Sequence, residues 1–556
     1  MGSPGSADLV FVNGAVYTVD AARSRAQAVA VAGGRITEVG TDADVRASVG
    51  PQTEVVDLQG RMLVPGFQDA HVHPVSGGLD MILCDLHELH DADAYVRAVV
   101  AYAGLHPERE WVVGGGWSMD VFPGGTPSKD LLDAVVPDRP VFLPNRDGHG
   151  AWVNSRALSR AGITRDTPDP EDGRIERDAT GEPAGTLHEG AQLLVERFVP
   201  PTSADDVYAG LLKGQAYLHS LGITAWQDAI VESGGWMDNF NAYLTAAARG
   251  GLTARVVGAL WWDRRRGLDQ IEELEDLRRR GEAGRFRATT VKIMQDGVVE
   301  NFTAATLTPY LDAQGNETGN AGISFVDPQM LNEAVTELDA RGFQVHVHAL
   351  GDRAVRESLD AVQAAREANG PNDLRHHLAH LQIVHPDDVP RFRRLGAVAN
   401  VQALWAAHED QMDRLTIPFI GPERAGWQYP VASLVRAGAM LAMGSDWPVS
   451  TPDPIDQIHV AVNRVMPADY AYGNANHEVF VPEQRIDLST ALAAFTIGSA
   501  YVNHLDDEAG SIEAGKVADL AVVDRDLFEG PVAEMGEASV DLTYVEGERV
   551  FERPGA

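Results

Sequence analysis

Eight short apolar runs alternate with helical stretches through the middle of this chain. The first ends Val64-Pro65-Gly66-Phe67-Gln68-Asp69-Ala70-His71-Val72-His73; the others are Thr224–Asp228, Ala254–Gly258, Thr290–Met294, Gln344–His348, His376–His380, Val398–Gln402 and Met440–Gly444. Helical spacing of apolar residues separates most of them, as over Met330–Arg341 and Arg353–Asn369. Strands alternating with amphipathic helices make a parallel sheet. Eight such units predict a closed (β/α)8 barrel, which gathers the carboxyl ends of all its strands at one mouth.

The two ends of the chain have another texture. Residues Ala7 to Val64 read as short β segments: Leu9–Val12, Tyr17–Val19, Ala28–Val31, Arg35–Val39 and Glu54–Leu58. Asn13-Gly14 and Gly33-Gly34 are expected hairpin turns between them. Ala518–Asp524, Val540–Val545 and Glu546–Val550 repeat the pattern at the far end. Neither end alone supplies a good core. One small β-sandwich built from residues 1–64 and 506–556 is therefore expected, around a barrel domain of 65–505. The interval between the first two barrel strands is too long for a loop, so 74–220 reads as an inserted subdomain lying over the barrel mouth.

Composition narrows the setting. The charge of −36, spread along all 556 residues, argues against nucleic acid or an anionic membrane as partner. No apolar run of about eighteen residues is present, and the amino end lacks a signal-peptide pattern, so a cytoplasmic location is expected. A small molecule is the expected partner, and the sequence leaves a homodimer open. The single cysteine, Cys84, excludes an internal disulfide and sits in an apolar stretch, as a packed thiol does. Only four of the 45 basic residues are lysines: Lys129, Lys213, Lys292 and Lys516. Each needs a reason beyond plain positive charge.

The strand ends carry the chemistry. His71 and His73 stand two apart, a spacing that puts both imidazoles on one side of a strand. Lys292 ends the fourth strand, His346 and His348 the fifth, His380 the sixth, and Asp446 follows the eighth in Gly444-Ser445-Asp446-Trp447-Pro448. A single histidine is ordinarily a hydrogen-bonded core residue, and a single aspartate after a strand is ordinarily a turn residue. Ligand-type residues at the same end of several independent strands indicate a metal site. Lys292 lies in the apolar run Val291-Lys292-Ile293-Met294, where a charged amine is costly unless it is paired, for instance with Asp296, or neutralised. A desolvated lysine has a depressed pKa and can add to carbon dioxide, giving a carbamate with two oxygen ligands.

These motifs, with His348-Ala349-Leu350-Gly351-Asp352, Asp147-Gly148-His149-Gly150-Ala151-Trp152-Val153-Asn154 and Gly510–Leu520, resemble the metal-dependent amidohydrolase superfamily. The branch they resemble is amidohydrolase family 3, which includes N-substituted formamide deformylases. The resemblance runs over nearly the whole chain. It implies a (β/α)8 barrel with a terminal β-sandwich, a divalent metal centre, and hydrolysis of a C–N bond. It further implies that His71, His73 and Asp446 bind one ion, that His348 and His380 bind a second, and that a carbamylated Lys292 bridges them. His348 is preferred to His346 because it is nearer the strand end. Zinc is the expected metal, polarising the substrate carbonyl and activating water, with Asp446 as the catalytic proton carrier. Trp117, Trp152, Trp405, Trp447, His149, Asn154 and Gln402 fall where they could face the mouth, so an aromatic-lined pocket for an apolar or aromatic amide is expected. Deaminase, carbamate, urea or lactone chemistry on the same scaffold is the alternative, since fold does not fix function. A non-catalytic binding relative would have lost ligands, and none of the six is missing. Glycoside hydrolysis by two carboxylates leaves the histidines unexplained.

Overall fold

The computed structural model describes residues 6–87, 89–234, 237–468, 470 and 478–555. All eight expected barrel strands are present: β1 (Phe67–Val72), β2 (Ile223–Val231), β3 (Arg255–Trp261), β4 (Phe286–Met294), β5 (Gln344–Ala349), β6 (His377–His380), β7 (Val398–Val401) and β8 (Leu441–Met443). They pair in parallel in chain order, β1 against β2 through to β7 against β8. No strand ladder joins β8 to β1. The gap is bridged by main-chain hydrogen bonds from Asp446 to His71 (2.7 Å) and from His73 to Trp447 (2.9 Å). Glycine is needed at the seam, because a Cβ on Gly444 would lie 2.5 Å from the His71 nitrogen.

The opening motif is two strands. Met62–Pro65 belongs to a terminal sheet, and β1 starts only at Phe67. Gly66 makes the crossing, where a Cβ would meet the Thr224 side chain at 2.5 Å. The terminal strands form two sheets. One orders Arg35–Gly40, Ala28–Ala32, Leu9–Val12 and Glu54–Asp57; the other orders Glu548–Glu552, Val540–Val545, Leu520–Val523, Met62–Pro65, Ala15–Tyr17 and Arg25–Ala26. Both ends of the chain therefore share one sheet. Leu63, Leu520 and Val522 face the four-stranded sheet, and Val64, Ala521 and Val523 pack with the barrel core. Burial on both faces explains why these strands are continuously apolar. Gly33-Gly34 does turn an antiparallel hairpin. Asn13-Gly14 does not, because Leu9–Val12 and Ala15–Tyr17 lie in different sheets. A short polar turn permits a reversal or a corner equally, and here it is a corner.

Between β1 and β2 the chain builds a further six-stranded sheet from strands within Cys84–Glu189, with its own apolar clusters around Trp117, Trp152, Phe142 and Leu187. The Gly- and Pro-rich stretch after Asp172 is its outer hairpin, Gly173–Arg177 against Pro183–Glu189. No helix among the described residues is long and apolar enough to cross a membrane.

Candidate metal centre

A cavity of about 540 Å³ opens at the carboxyl ends of the barrel strands, and His71, His73, Lys292, His348, His380 and Asp446 all line it. The Asp446 Oδ1 atom lies 3.2 Å from His71 Nε2 and 2.9 Å from His73 Nε2. The ligand atoms of these three residues fall within 4.8 Å of one another. Asp446 adopts a left-handed backbone, φ 58°, held by the seam hydrogen bond to His71. Strain of this kind persists where surrounding structure imposes it. Burial opposes its charge, but the neighbouring His71 and His73 outweigh that and keep the carboxyl well below the usual carboxylate range.

His348 and His380 face each other across the mouth with ring centres 4.4 Å apart. His348 Nδ1 and both ring nitrogens of His380 are buried without a hydrogen-bond partner among the described residues. An unsatisfied buried polar atom costs roughly 1–3 kcal/mol, so three of them lining one cavity suit the binding of a cation. Lys292 is 2% exposed. Burial drags its pKa down to about 7, and no hydrogen bond or ion pair supports its ammonium among the described residues. Asp296 does not pair with it. That carboxylate accepts the main-chain N–H groups of Ala305, Leu350 and Gly351 at 2.9, 3.0 and 2.8 Å and lies 3.4 Å from His348 Nδ1. Nitrogen, carboxylate and a lysine able to lose its charge form a donor set suited to divalent ions.

The two histidines of β5 differ in what each touches. His346 uses both ring nitrogens within the barrel, Nδ1 at 2.7 Å from Gln227 Oε1 and Nε2 at 2.9 Å from His71 Nδ1. His348 lines the cavity.

Of the residues expected to contact substrate, His149 lines the cavity, with its ring 5.5 Å from that of His348. Burial lowers its pKa, but the Glu189 carboxylate 3.0 Å from Nδ1 outweighs this and raises it to about 9. Trp117, Asn154, Gln402, Trp405 and Trp447 do not line the cavity. Trp117 packs on Phe122 and Trp152 inside the insert and donates to Leu143 O at 2.8 Å. Asn154 caps the helix Ser155–Ala161. Trp447 packs against Tyr217 and over Gly77, where a Cβ would meet its ring at 2.6 Å. Gln402 accepts the His380 N–H at 2.9 Å, and Trp405 stacks on the His380 ring at 5.5 Å, so both support a cavity residue from behind.

The lining is less aromatic and more acidic than expected, with Phe142 and Trp261 beside Asp228, Glu189, Glu196 and Glu232. Asp228 lies in β2, three residues before its end at Val231, and accepts the Tyr243 hydroxyl at 2.7 Å; burial lifts its pKa to about 6. It closes the run Thr224–Asp228 in the sequence, which was a usable signal. Glu189 and Glu196 arrive from the insert, and nothing in their sequence neighbourhood marks them; Glu232 directly follows β2, beyond the end at Asp228 that the sequence suggests.

Residues 54–551 match the family model described as Amidohydrolase family. The chain belongs to the amidohydrolase family. It is 33% identical to "Protein LONG AFTER FAR-RED 3" of Arabidopsis thaliana, an alignment covering 98% of this chain and 92% of the relative. It is 30% identical to "N-substituted formamide deformylase" of Arthrobacter pascens, covering 99% of both. Among solved structures, an uncharacterized metal-dependent hydrolase from Pyrococcus furiosus superposes with a TM-score of 0.70 at 24% identity, covering 94% of this amidohydrolase and 100% of that chain. That likeness establishes the shared fold.

Proposed function

We propose that this amidohydrolase hydrolyses the C–N bond of a small amide or formamide, using two zinc ions bridged by carbamylated Lys292. The observation that carries the reading is the group His71, His73 and Asp446 sharing one cavity with Lys292, His348 and His380, where three buried ring nitrogens make no hydrogen bond among the described residues. His71, His73 and Asp446 would hold one ion, His348 and His380 the other. When bound, such ions supply Lewis acidity that polarises a carbonyl and brings the pKa of water towards neutrality. Asp446 sits at the edge of both histidine groups, 2.9 Å from His73 and 3.8 Å from His380, where one carboxylate can take a proton from water and pass it to the departing amine. His149, hydrogen-bonded through Nδ1 to Glu189, presents its other edge to the cavity and can donate to the carbonyl oxygen. Leu83, Val113, Phe142, Trp261 and Met294 offer an apolar wall for an alkyl or aryl N-substituent. The similarity to a formamide deformylase over full length supports this substrate class.

The test combines elemental analysis with a screen of N-formyl, N-acyl, carbamate, urea and lactone compounds. Asp446→Asn should lower turnover roughly 10²–10⁴-fold, the usual contribution of a positioned acid–base group, while keeping most of the metal. Near-normal turnover in that variant would overturn the assignment of Asp446, and a protein that neither takes up metal nor turns over any of these compounds would overturn the reading as a whole.

A further inference from the structure

Barrels of this kind are filled mainly by branched apolar side chains. Here the interior beneath the histidines is polar: Gln227, Thr290, Gln344 and His346 project from β2, β4 and β5, each at most 3% exposed. The direction of their hydrogen bonds follows from where the chain of contacts begins. The side-chain nitrogen of Gln344 lies 2.7 Å from the Val502 carbonyl oxygen and 3.0 Å from that of Arg375. Main-chain carbonyls only accept, so this end of the amide is the NH2 group and the other end is Oε1. Gln344 Oε1 accepts the Thr290 hydroxyl at 2.7 Å and the Gln227 amide at 3.2 Å, which makes the contacting Gln227 atom Nε2. Gln227 must then present Oε1 to His346 Nδ1, at 2.7 Å. A neutral imidazole has one donor and one acceptor, so His346 carries its proton on Nδ1 and offers the Nε2 lone pair to His71 Nδ1, 2.9 Å away. His71 donates from Nδ1 and keeps a bare Nε2, 3.2 Å from Asp446 Oδ1. Two acceptors at that separation repel unless a proton or a metal ion lies between them.

A second chain obeys the same rule and is anchored on the main chain at both ends. The His380 N–H donates to Gln402 Oε1 at 2.9 Å, Gln402 Nε2 donates to Asn400 Oδ1 at 3.3 Å, and Asn400 Nδ2 donates to Ala70 O at 2.9 Å. The directions assigned from its two ends agree.

We infer that the polar barrel interior is a one-way hydrogen-bond chain, running from His71 through His346, Gln227 and Gln344 to the Val502 and Arg375 carbonyls, that fixes the tautomer of His71. His346 and Gln227 are thus positioning residues, which keep the His71 Nε2 lone pair free for a metal ion. The inference rests on the metal-binding reading of His71, but the tautomer is a property of the metal-free chain and is measured separately.

The experiment has two arms. In chelator-treated, ¹⁵N-histidine-labelled protein, the ring correlations of His71, assigned by their loss in His71→Gln, should report protonation at Nδ1. In competition with a chromophoric chelator for added zinc, His346→Phe and Gln227→Met should each weaken binding about 10–100-fold, the usual loss when the outer partner of a ligand is removed. His346→Gln should recover most of that loss, because its amide oxygen can again accept from His71 Nδ1. If His346→Phe does not fold, Gln227→Met carries this arm. His71 found protonated at Nε2, or a folded Gln227→Met variant with unchanged zinc affinity, would overturn the inference. A parent protein that binds no zinc yet shows His71 protonated at Nδ1 would refute the proposed function and leave the chain standing.

Discussion

One substitution at Lys292 should have opposite effects on the metal-free and metal-loaded protein. Lys292 is 2% exposed, and burial lowers its pKa from 10.5 to about 7. At about 1.4 kcal/mol for each factor of ten, the gap between those values is a penalty of roughly 5 kcal/mol on folding with this amine charged. Water penetration and relaxation reduce such penalties, but they remain at several kcal/mol. Methionine has a similar length and no charge, so Lys292→Met should stabilise the metal-free protein. The folded value lies below the unfolded one, so between about pH 7 and pH 10.5 the unfolded chain holds the extra proton. The Lys292 contribution to the stability of the metal-free parent therefore rises with pH through that window, and it is missing in Lys292→Met. The gain from the substitution is largest below pH ~7 and fades as pH approaches 10.5. Denaturant melts of chelator-treated parent and variant, at about pH 6 and about pH 9, measure both features. With metal supplied the same variant cannot form the proposed carbamate, and its zinc content should fall. A metal-free variant less stable than the parent at about pH 6, or one that retains a full metal complement, would refute the reasoning.

Glu189→Gln should remove a pH-dependent contribution to stability. Because Glu189 holds the His149 pKa at about 9, above the ordinary 6.5, the pair contributes fully below pH 6.5 and loses that contribution as pH rises through about 9. The melting temperature of the parent, taken relative to that of the variant, should therefore fall across that range. Arg255, 7% exposed on β3, pairs with Asp519 and Glu546 of the terminal sheet. Arg255→Met leaves Asp519 buried and unpaired, a loss on the order of 3–5 kcal/mol that thermal melts will register; an unchanged melting temperature would place the clamp elsewhere.

The strands and the convergence of the histidines with Asp446 were legible because each strand announces itself by a local apolar run, and its end by one ligand-type residue. His71, His73 and Asp446 converge for that reason, without any need to know the loops. Side-chain direction is not local in the same way. Trp117, Asn154 and Trp447 stand in segments near the mouth, but a tryptophan buries wherever the largest apolar hollow is, and for Trp117 that hollow lies inside the insert. Glu196 reaches the cavity only through tertiary placement. Gln227 and Gln344 were legible as strand residues, yet their role depends on which carbonyls lie below them, and Val502 is 158 positions from Gln344. Asn13-Gly14 states that the chain turns, and only packing decides which sheet it joins next.

The seam between β1 and β8 is the weak line of the barrel, held by two main-chain hydrogen bonds and by Asp69, which accepts the Ser445 hydroxyl at 2.6 Å across 376 positions of sequence. Closing so long a loop is an entropic cost that grows only slowly with length, and a tight clip at its ends recovers much of it. An ion held jointly by His71, His73 and Asp446 would be such a clip, riveting the first stave of the barrel to the last. Metal occupancy would then govern more than chemistry: it would set how readily the cylinder opens along one edge, and with it the exposure of the chain to proteases.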